Sequence, residues 1–270
     1  MAKDFSQYKL NVIPSPPDKR DWKVASIYKV MELPAEFDLR DKLKKVRDQL
    51  SQGSCVAQAG CAMKSVQERL DANSGFIEDY MSPQFIYNNR ENKDSEGMFL
   101  RDLMRILKNI GIVPESKYPY GTFDPINQEL YNLAKNYVID NYAMVSTIEE
   151  LKLALYINKG AIFAVPVYNY GPRMWHKDAG DYLLGYHCMA FTKYSDINRK
   201  LDVRNSWDDD WENDGYTEMS YDDFLSDVLE CWTTIDKDSF VPVPPKKKWW
   251  EMVIDFFLNI WGKIRNYFHF

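Results

Sequence analysis

Three residues in the sequence have the types and the order needed for nucleophilic catalysis by a thiol. Cys55 ends a run of turn-forming residues, and His187 and Asn205 follow roughly 130 and 150 residues later, beside strand-like apolar runs. A thiolate can attack a carbonyl carbon, an imidazole can take and return the proton, and an amide oxygen can orient that imidazole. Each residue alone has an ordinary structural explanation. Their order and their neighbours together predict a catalytic set.

A helix should position Cys55. Apolar residues recur at steps of three and four, the spacing of one helical face: Val56, Ala59, Met63, Val66 and Leu70. Ser54 stands at the capping position, and Asp71, Asn73 and Gly75 mark the end. In the first turn of such a helix, free backbone N–H groups and the helix dipole favour the thiolate. The sequence therefore predicts an activated thiol at Cys55.

Several short stretches between about Asp38 and Ile235 resemble the papain family of cysteine peptidases in the same order. They are Asp38-Leu39-Arg40, Gln49 with Gly53-Ser54-Cys55, Ser82-Pro83-Gln84, Tyr118-Pro119-Tyr120, and Asn205-Ser206-Trp207 with Trp211 and Gly215-Tyr216. The resemblance implies an α+β fold with a helical lobe at about 45–140 and an antiparallel, β-barrel-like lobe at about 141–235. The active site would lie in the cleft between them, within a peptidase domain spanning 35–240.

The resemblance also implies a role for each residue of the site. Cys55 would be the nucleophile, His187 the base and acid, and Asn205 the orienting amide. The side chain of Gln49 would form the oxyanion hole with the backbone N–H of Cys55. The residues expected to bind substrate are Gly53, Ser54, Gly97, Trp207 and Trp211. Gly97 remains from a glycine pair that lines the acyl side of the cleft in the family, and Trp207 would shield the bond between His187 and Asn205.

The chemistry these residues support is hydrolysis of peptide bonds in proteins by an endopeptidase, through a thioester acyl-enzyme. No metal or organic cofactor is expected, because no cysteine or histidine pair has metal-ligand spacing. Two alternatives remain open. One is another acyl transfer on the same site, such as deamidation or isopeptidase activity. The other is an interaction scaffold of the same fold, tethered by its C-terminal helix.

Composition narrows the class of protein. A net charge of −6 and a pI near 5.2 argue against a nucleic-acid partner. The four cysteines show no disulfide pattern, because Gln52 stands where the family has its usual cysteine partner, and all four are expected to be reduced. Residues 1–13 lack the apolar core of a signal peptide. We therefore expect a cytoplasmic protein of bacterial or phage origin.

The two ends of the sequence carry further expectations. Residues 1–34 are punctuated by prolines, and the stretch 15–22 within them resembles the short leader of prokaryotic family members. Residues 1–34 are therefore expected either to cover part of the cleft or to pack on the body through Trp22 and Tyr28. Residues 241–270 read as a Pro/Lys linker and an amphipathic helix. That helix either packs on the body or uses residues 246–270 to bind a membrane surface or a protein partner, and it is too polar to span a membrane.

Acidic residues follow Trp207 closely. The run comprises Asp208, Asp209, Asp210, Glu212 and Asp214. It is either a solvated loop or an acidic leaving-group side of the cleft that favours basic substrate residues.

Periodicity predicts the other elements. Helices are expected at 98–110, at 126–136 and from a capping box at Ser146 to Asn158, and strands at 161–168, 187–194, 200–206, 215–219 and 231–235.

Overall fold

The computed structural model describes residues 3–19, 21–28, 31–71 and 80–236. Six α-helices lie in these residues: α1 (Cys55–Leu70), α2 (Pro83–Asn88), α3 (Leu100–Asn109), α4 (Gln128–Ala134), α5 (Ile148–Asn158) and α6 (Tyr221–Asp227). Nine strands accompany them: β1 (Val12–Ile13), β2 (Glu36–Asp38), β3 (Met98–Phe99), β4 (Asn141–Met144), β5 (Ala161–Val167), β6 (Gly185–Ser195), β7 (Lys200–Arg204), β8 (Tyr216–Ser220) and β9 (Glu230–Ile235). Helices dominate the first half and strands the second, so the α+β expectation is confirmed.

One antiparallel sheet organises the second half of the described chain. Its strand order is β4-β9-β5-β6-β7-β8, and β2 also pairs with β6. The expected barrel-like lobe is this antiparallel sheet, which does not close on itself and has β4 and β8 at its two ends. A separate parallel pair joins β1 to β3, with Val12 opposite Met98 and Ile13 opposite Phe99.

The central strands β5 and β6 are buried on both faces, which explains their continuous apolar sequences. One face contributes Phe163, Met189 and Phe191 to a large cluster under α5 and α6. The opposite face contributes Ile162, Ala164, Cys188 and Ala190 to a second cluster, which also contains α1. Alternation along a strand therefore separates neighbouring residues such as His187 and Cys188 onto opposite faces.

Helix α1 begins and ends where the sequence predicts. Cys55 is its first residue, Ser54 occupies the capping position, and the helix ends before Asp71. Almost the whole helix is buried, because it lies against β5 and β6 on one side and α2 and α3 on another. All four cysteines of the chain lie in described residues, and each is a buried free thiol, as the missing disulfide pattern predicts.

Two local predictions differ from the structure. The helix expected at 98–110 begins at Leu100, because Met98 and Phe99 pair with β1 instead. The capping box of α5 lies one residue later than expected: Thr147 caps Glu150 N–H, and the Glu150 carboxylate accepts from Ser146 N at 2.6 Å. Strand β4 and helix α6 are additional elements that the apolar pattern did not indicate.

The N-terminal residues divide into two parts. Residues 21–28 pack on the body: Val24 is fully buried, Ala25 N–H donates to Glu150, and Tyr28 Oη donates to Asn158 Oδ1 at 2.5 Å. The Trp22 side chain is half exposed, whereas Tyr28 is buried. Residues 3–15 follow a different path, described below. The predicted linker and helix at 241–270 lie outside the described residues, and no helix inside them is long and apolar enough to cross a membrane.

Candidate active site

The Cys55 sulfur lies where helix α1 meets strand β6. Its side chain is fully buried, and the sulfur interacts with the backbone N–H groups of Cys188, Val56 and Cys55 itself. Cys188 directly follows His187 in β6. The structure therefore brings the predicted nucleophile against the backbone of the residue that follows the predicted base, although the two are far apart in the sequence.

His187 and Asn205 form a buried pair. His187 Nε2 lies 2.7 Å from Asn205 Oδ1, which also accepts from Ser206 N at 2.8 Å. The Ser206 N–H identifies this atom as the amide oxygen, which can only accept, so the Nε2 of His187 must carry a proton and donate to it. The other ring nitrogen, Nδ1, is therefore unprotonated. It is buried and has no hydrogen-bond partner among the described residues.

Gln49 is fully buried and held in one orientation. Its Oε1 accepts from Ser206 Oγ at 2.7 Å, and its backbone N–H donates to Ser206 O at 2.8 Å. The Nε2 of Gln49 therefore points the other way, where it donates to Gln52 O at 3.2 Å and to Lys9 O at 3.4 Å. The Lys9 carbonyl oxygen belongs to the N-terminal residues. This oxygen accepts a hydrogen bond from the amide group that the sequence assigns to an oxyanion hole.

Trp207 covers the histidine. Its ring centroid lies 4.7 Å from that of His187, and Trp211 packs edge-on against it at 5.7 Å. Trp211 is fully buried and donates from Nε1 to Tyr170 O at 3.0 Å, which holds it in this contact. Tyr8 stacks on Trp207 with centroids 5.3 Å apart and planes at 16°. An N-terminal side chain therefore lies over the tryptophan.

Three glycines make close contact with residues 10–13. A Cβ at Gly185 would lie 2.6 Å from Leu10 O, one at Gly97 would lie 2.2 Å from Asn11 O, and one at Gly53 would lie 3.0 Å from Asn11 Nδ2. Side chains at Gly97 and Gly185 would collide with the N-terminal backbone, whereas one at Gly53 would first meet Glu96 O, at 2.5 Å. Gly53 and Gly97, both expected to bind substrate, are thus in contact with Asn11. Ser54 contacts Tyr120 instead: their hydroxyl groups lie 2.6 Å apart.

Residues 3–15, which we call the strap, are held to the rest of the protein by ion pairs at Lys3 and Lys9. Lys3 Nζ lies 3.2 Å from both Asp48 and Asp208, and Lys9 Nζ lies 2.5 Å from Glu96. Asp208 adopts a left-handed backbone with φ of 72°. Lys3 and backbone N–H donors hold the pKa of Asp208 below its ordinary value, against the opposing effect of burial.

Burial sets the protonation state of the pair under the strap. It raises the pKa of the Cys55 thiol to about 11, and the backbone N–H groups at the sulfur only partly oppose it. Burial likewise lowers the pKa of His187 to about 4, against the effect of Asn205. At neutral pH the covered site holds a neutral thiol and a neutral imidazole. This differs from the thiolate expected from the helix terminus, because desolvation outweighs the dipole.

Two residues that support Gln49 appear in the sequence only as parts of motifs. Ser206 orients the side chain of Gln49, and Tyr120 Oη donates to Gln49 O at 2.7 Å. Both belong to stretches that carry the family resemblance, so the signal was present without a role attached to it. The backbone N–H of Cys188 has no sequence signal, because its contact depends on the placement of β6 against α1.

The comparisons with known proteins agree with this fold. The family model described as "Papain family cysteine protease" matches residues 33–234. Xylellain, a cysteine protease from Xylella fastidiosa, is 27% identical over 87% of this chain and 99% of its own, with a TM-score of 0.72. Procathepsin L2 from Tenebrio molitor larval midgut is 21% identical over 85% and 78%, with a TM-score of 0.64. Bromelain from Ananas comosus, solved with the E64 inhibitor, is 19% identical over 76% and 100%, with a TM-score of 0.59.

The fold and the matches define the class of protein as a cysteine peptidase. Because the family model covers most of the sequence, the chain belongs to the papain family. The family implies protein or peptide substrates. No curated protein matches the chain.

Proposed function

We propose that the protein is an endopeptidase that cleaves peptide bonds through a thioester on Cys55. The observation that carries this proposal is the tautomer of His187, with Nε2–H held by Asn205 and Nδ1 free to accept a proton. In this role Nδ1 takes the thiol proton while the sulfur attacks the substrate carbonyl carbon. The imidazolium then returns the proton to the leaving amine, and water hydrolyses the thioester with the same histidine as base.

Gln49 and the Cys55 backbone N–H would stabilise the tetrahedral oxyanion. Supporting this role, Ser206 fixes the Gln49 amide so that Nε2 already donates to a carbonyl oxygen, that of Lys9. A donor held in place before the reaction needs no reorganisation when negative charge develops on the substrate oxygen. Removing one such donor typically costs about 3–4 kcal/mol of transition-state stabilisation.

We also propose that the strap blocks this site until it moves away. Its Lys9 carbonyl occupies the oxyanion donor, its residues 10–13 contact the cleft glycines, and its Tyr8 covers Trp207. Release of the strap would admit both substrate and water. Water lowers the desolvation cost of charge, so release would move the pKa of His187 up and that of Cys55 down, toward their ordinary values.

Active-site labelling tests the proposed nucleophile. The full-length protein is treated with an epoxysuccinyl thiol-protease inhibitor and mapped by mass spectrometry, and casein cleavage is measured in parallel. We expect a single modification at Cys55 and loss of cleavage together. Cys55→Ala should abolish both, whereas Cys61→Ala, which removes a buried thiol in the same helix, should abolish neither.

Other outcomes would refute the proposal. Modification of a different cysteine, or casein cleavage that survives in Cys55→Ala, would exclude Cys55 as the nucleophile. Product that forms at Cys55 without new peptide termini would replace hydrolysis with another acyl transfer. A protein that is never labelled and never cleaves casein would support the scaffold alternative.

A further inference from the structure

A small cavity lies between helix α1 and the strands β6 and β7. Its volume of about 20 Å³ is enough for one species of roughly the size of a water molecule. Gln58 and Cys61 of α1 line one side, and Ala190 of β6 and Arg204 of β7, which are opposite each other in the sheet, line another. Arg47, from the segment before α1, also lines it. The cavity therefore lies where the helix that begins at Cys55 meets the sheet.

Gln58 brings an unused hydrogen-bond donor to this cavity. The residue is only 5% exposed, and its Nε2 is buried without a hydrogen-bond partner among the described residues. The neighbouring Tyr120 hydroxyl is already bonded to Gln49 O, at 2.7 Å, and to Ser54 Oγ, at 2.6 Å. A buried donor without a partner is unfavourable. An acceptor inside the cavity would remove that cost.

Arg204 is a buried cation whose hydrogen bonds go to neutral groups. It is 5% exposed, and it donates from Nη1 to Tyr216 Oη and from Nη2 to Lys45 O, the latter at 2.7 Å. Its guanidinium also lies over the Tyr216 ring, 5.4 Å from the centroid. Within residues 3–19, 21–28, 31–71 and 80–236, no carboxylate forms an ion pair with it. A buried charge is costly unless an opposite charge compensates it.

Arg47 adds a second positive charge at the same place. Both of its terminal nitrogens contact the Glu115 carboxylate, with Nη2 donating to Oε1 at 2.5 Å, and its guanidinium lies over the Tyr80 ring at 4.7 Å. Burial, and to a smaller extent the like charge of Arg204, lower the pKa of Arg47, because the two guanidinium groups are close enough to repel each other. Glu115 compensates one of the two cations, so the lining keeps an excess of positive charge.

This lining suits an anion better than it suits water. Gln58 Nε2 and the two guanidinium groups can only donate hydrogen bonds. Water accepts at most two hydrogen bonds and has to place two hydrogens of its own, whereas a halide ion accepts from every donor around it. Hydrogen bonds from a guanidinium to an anion are also stronger than those to a neutral acceptor. Sulfate and phosphate, with five heavy atoms each, are too large for this volume.

We propose that this cavity is a binding site for a small monovalent anion of the halide type, held by Gln58, Arg47 and Arg204. The anion would join α1, which begins at Cys55, to β7, which ends directly before Asn205. Occupation of the site would therefore stabilise the packing of the helix against the sheet. The inference stands independently of the proposed function, because it concerns a ligand of the fold and not the reaction.

Two measurements on the full-length protein test the site with chloride and bromide as probes. In the first, the melting temperature is followed while chloride replaces gluconate at constant ionic strength. We expect it to rise by about 2–4 °C at about 0.1 M chloride. In the second, anomalous scattering from crystals grown in bromide should show a peak in the cavity, within hydrogen-bond distance of Gln58 Nε2. Gln58→Leu should remove the chloride effect, whereas Gln128→Leu on the exposed surface of α4 should retain it.

Each other outcome would overturn the inference. If the cavity holds only water, bromide gives no peak there, and the melting temperature does not change when chloride replaces gluconate. A bromide peak without any chloride-dependent shift would mean an adventitious ion only. A shift that survives in Gln58→Leu would mean that chloride acts elsewhere on the protein. If Gln58→Leu does not fold, the presence or absence of the bromide peak in the wild-type protein decides, together with its chloride-dependent shift.

Discussion

Tyr8→Ala is the most direct perturbation of the strap. The Tyr8 ring is 3% exposed, stacks on Trp207 and lies 6.1 Å from the Phe5 ring. Its hydroxyl donates to Trp207 O at 3.4 Å, which is a long hydrogen bond. Most of its contribution to strap docking therefore comes from buried apolar area and ring stacking. The substitution removes these contacts without touching Cys55, His187 or Gln49.

The size of the effect follows from this burial. Fully burying a large apolar side chain contributes about 1.5–3 kcal/mol, and the lost stacking adds a smaller amount. Taking about 2–3 kcal/mol, the population of the released strap should rise roughly 30- to 140-fold. The rate of Cys55 labelling should rise by the same factor, because the label reaches the sulfur only in the released state.

The assay is epoxysuccinyl labelling of the full-length protein followed by peptide mapping, with peptide cleavage measured alongside. Phe123→Ala is the matched control, since this aromatic ring is 83% exposed and lies outside the strap. The thiols of Cys61 and Cys231 report on global unfolding, because both are buried. Release of the strap should expose Cys55 without exposing these two.

Two results would refute this reasoning. An unchanged labelling rate in Tyr8→Ala, with an unchanged melting temperature, would mean that the strap does not limit access to Cys55. Equal acceleration at all four cysteines would mean that the substitution unfolds the protein as a whole rather than releasing its first residues.

Three further predictions concern catalysis, pH and specificity. Gln49→Ala should lower kcat by about 10²–10³ with a smaller change in KM, since one oxyanion donor is lost. The control Gln128→Ala, on α4, should change neither constant. Equal values for the two variants would contradict the role of Gln49 in the oxyanion hole. Lowering the pH from 7 to 5 should weaken strap docking by about 2 kcal/mol, because the released His187, with an ordinary pKa near 6.5, binds a proton that the docked form, with a pKa of about 4, does not. Amide hydrogen exchange of the strap, corrected for intrinsic pH dependence, measures this change, and equal protection at both pH values would exclude it. Asp208→Asn keeps a residue that tolerates the left-handed backbone. It should reduce a preference for lysine over glutamate just after the scissile bond by roughly two- to fivefold. If the wild-type protein cleaves both peptides of such a pair equally, the acidic run is a solvated loop.

The helix and strand positions that carry the site could be predicted because they depend on local pattern. The apolar spacing after Cys55 gives α1, and uninterrupted apolar runs give β5 and β6. Local pattern predicts the wrong element where a strand distant in the sequence pairs with the segment. Met98 and Phe99 fit a helical period, but β1 pairs with them from far away in the sequence and draws them into a strand.

The sequence by itself determined the identities of the thiol, the imidazole and the two amides, since their types, order and neighbouring motifs are all local facts. Tertiary structure alone decided whether these groups are covered and whether they are charged. The prolines of residues 1–34 indicate extended chain but not that it lies against Gly53, Gly97 and Gly185. The helix terminus favours a thiolate at Cys55, yet burial by residues from across the chain makes the thiol neutral. Desolvation depends on every residue that excludes water from the site, and such a sum exists only once the chain has folded.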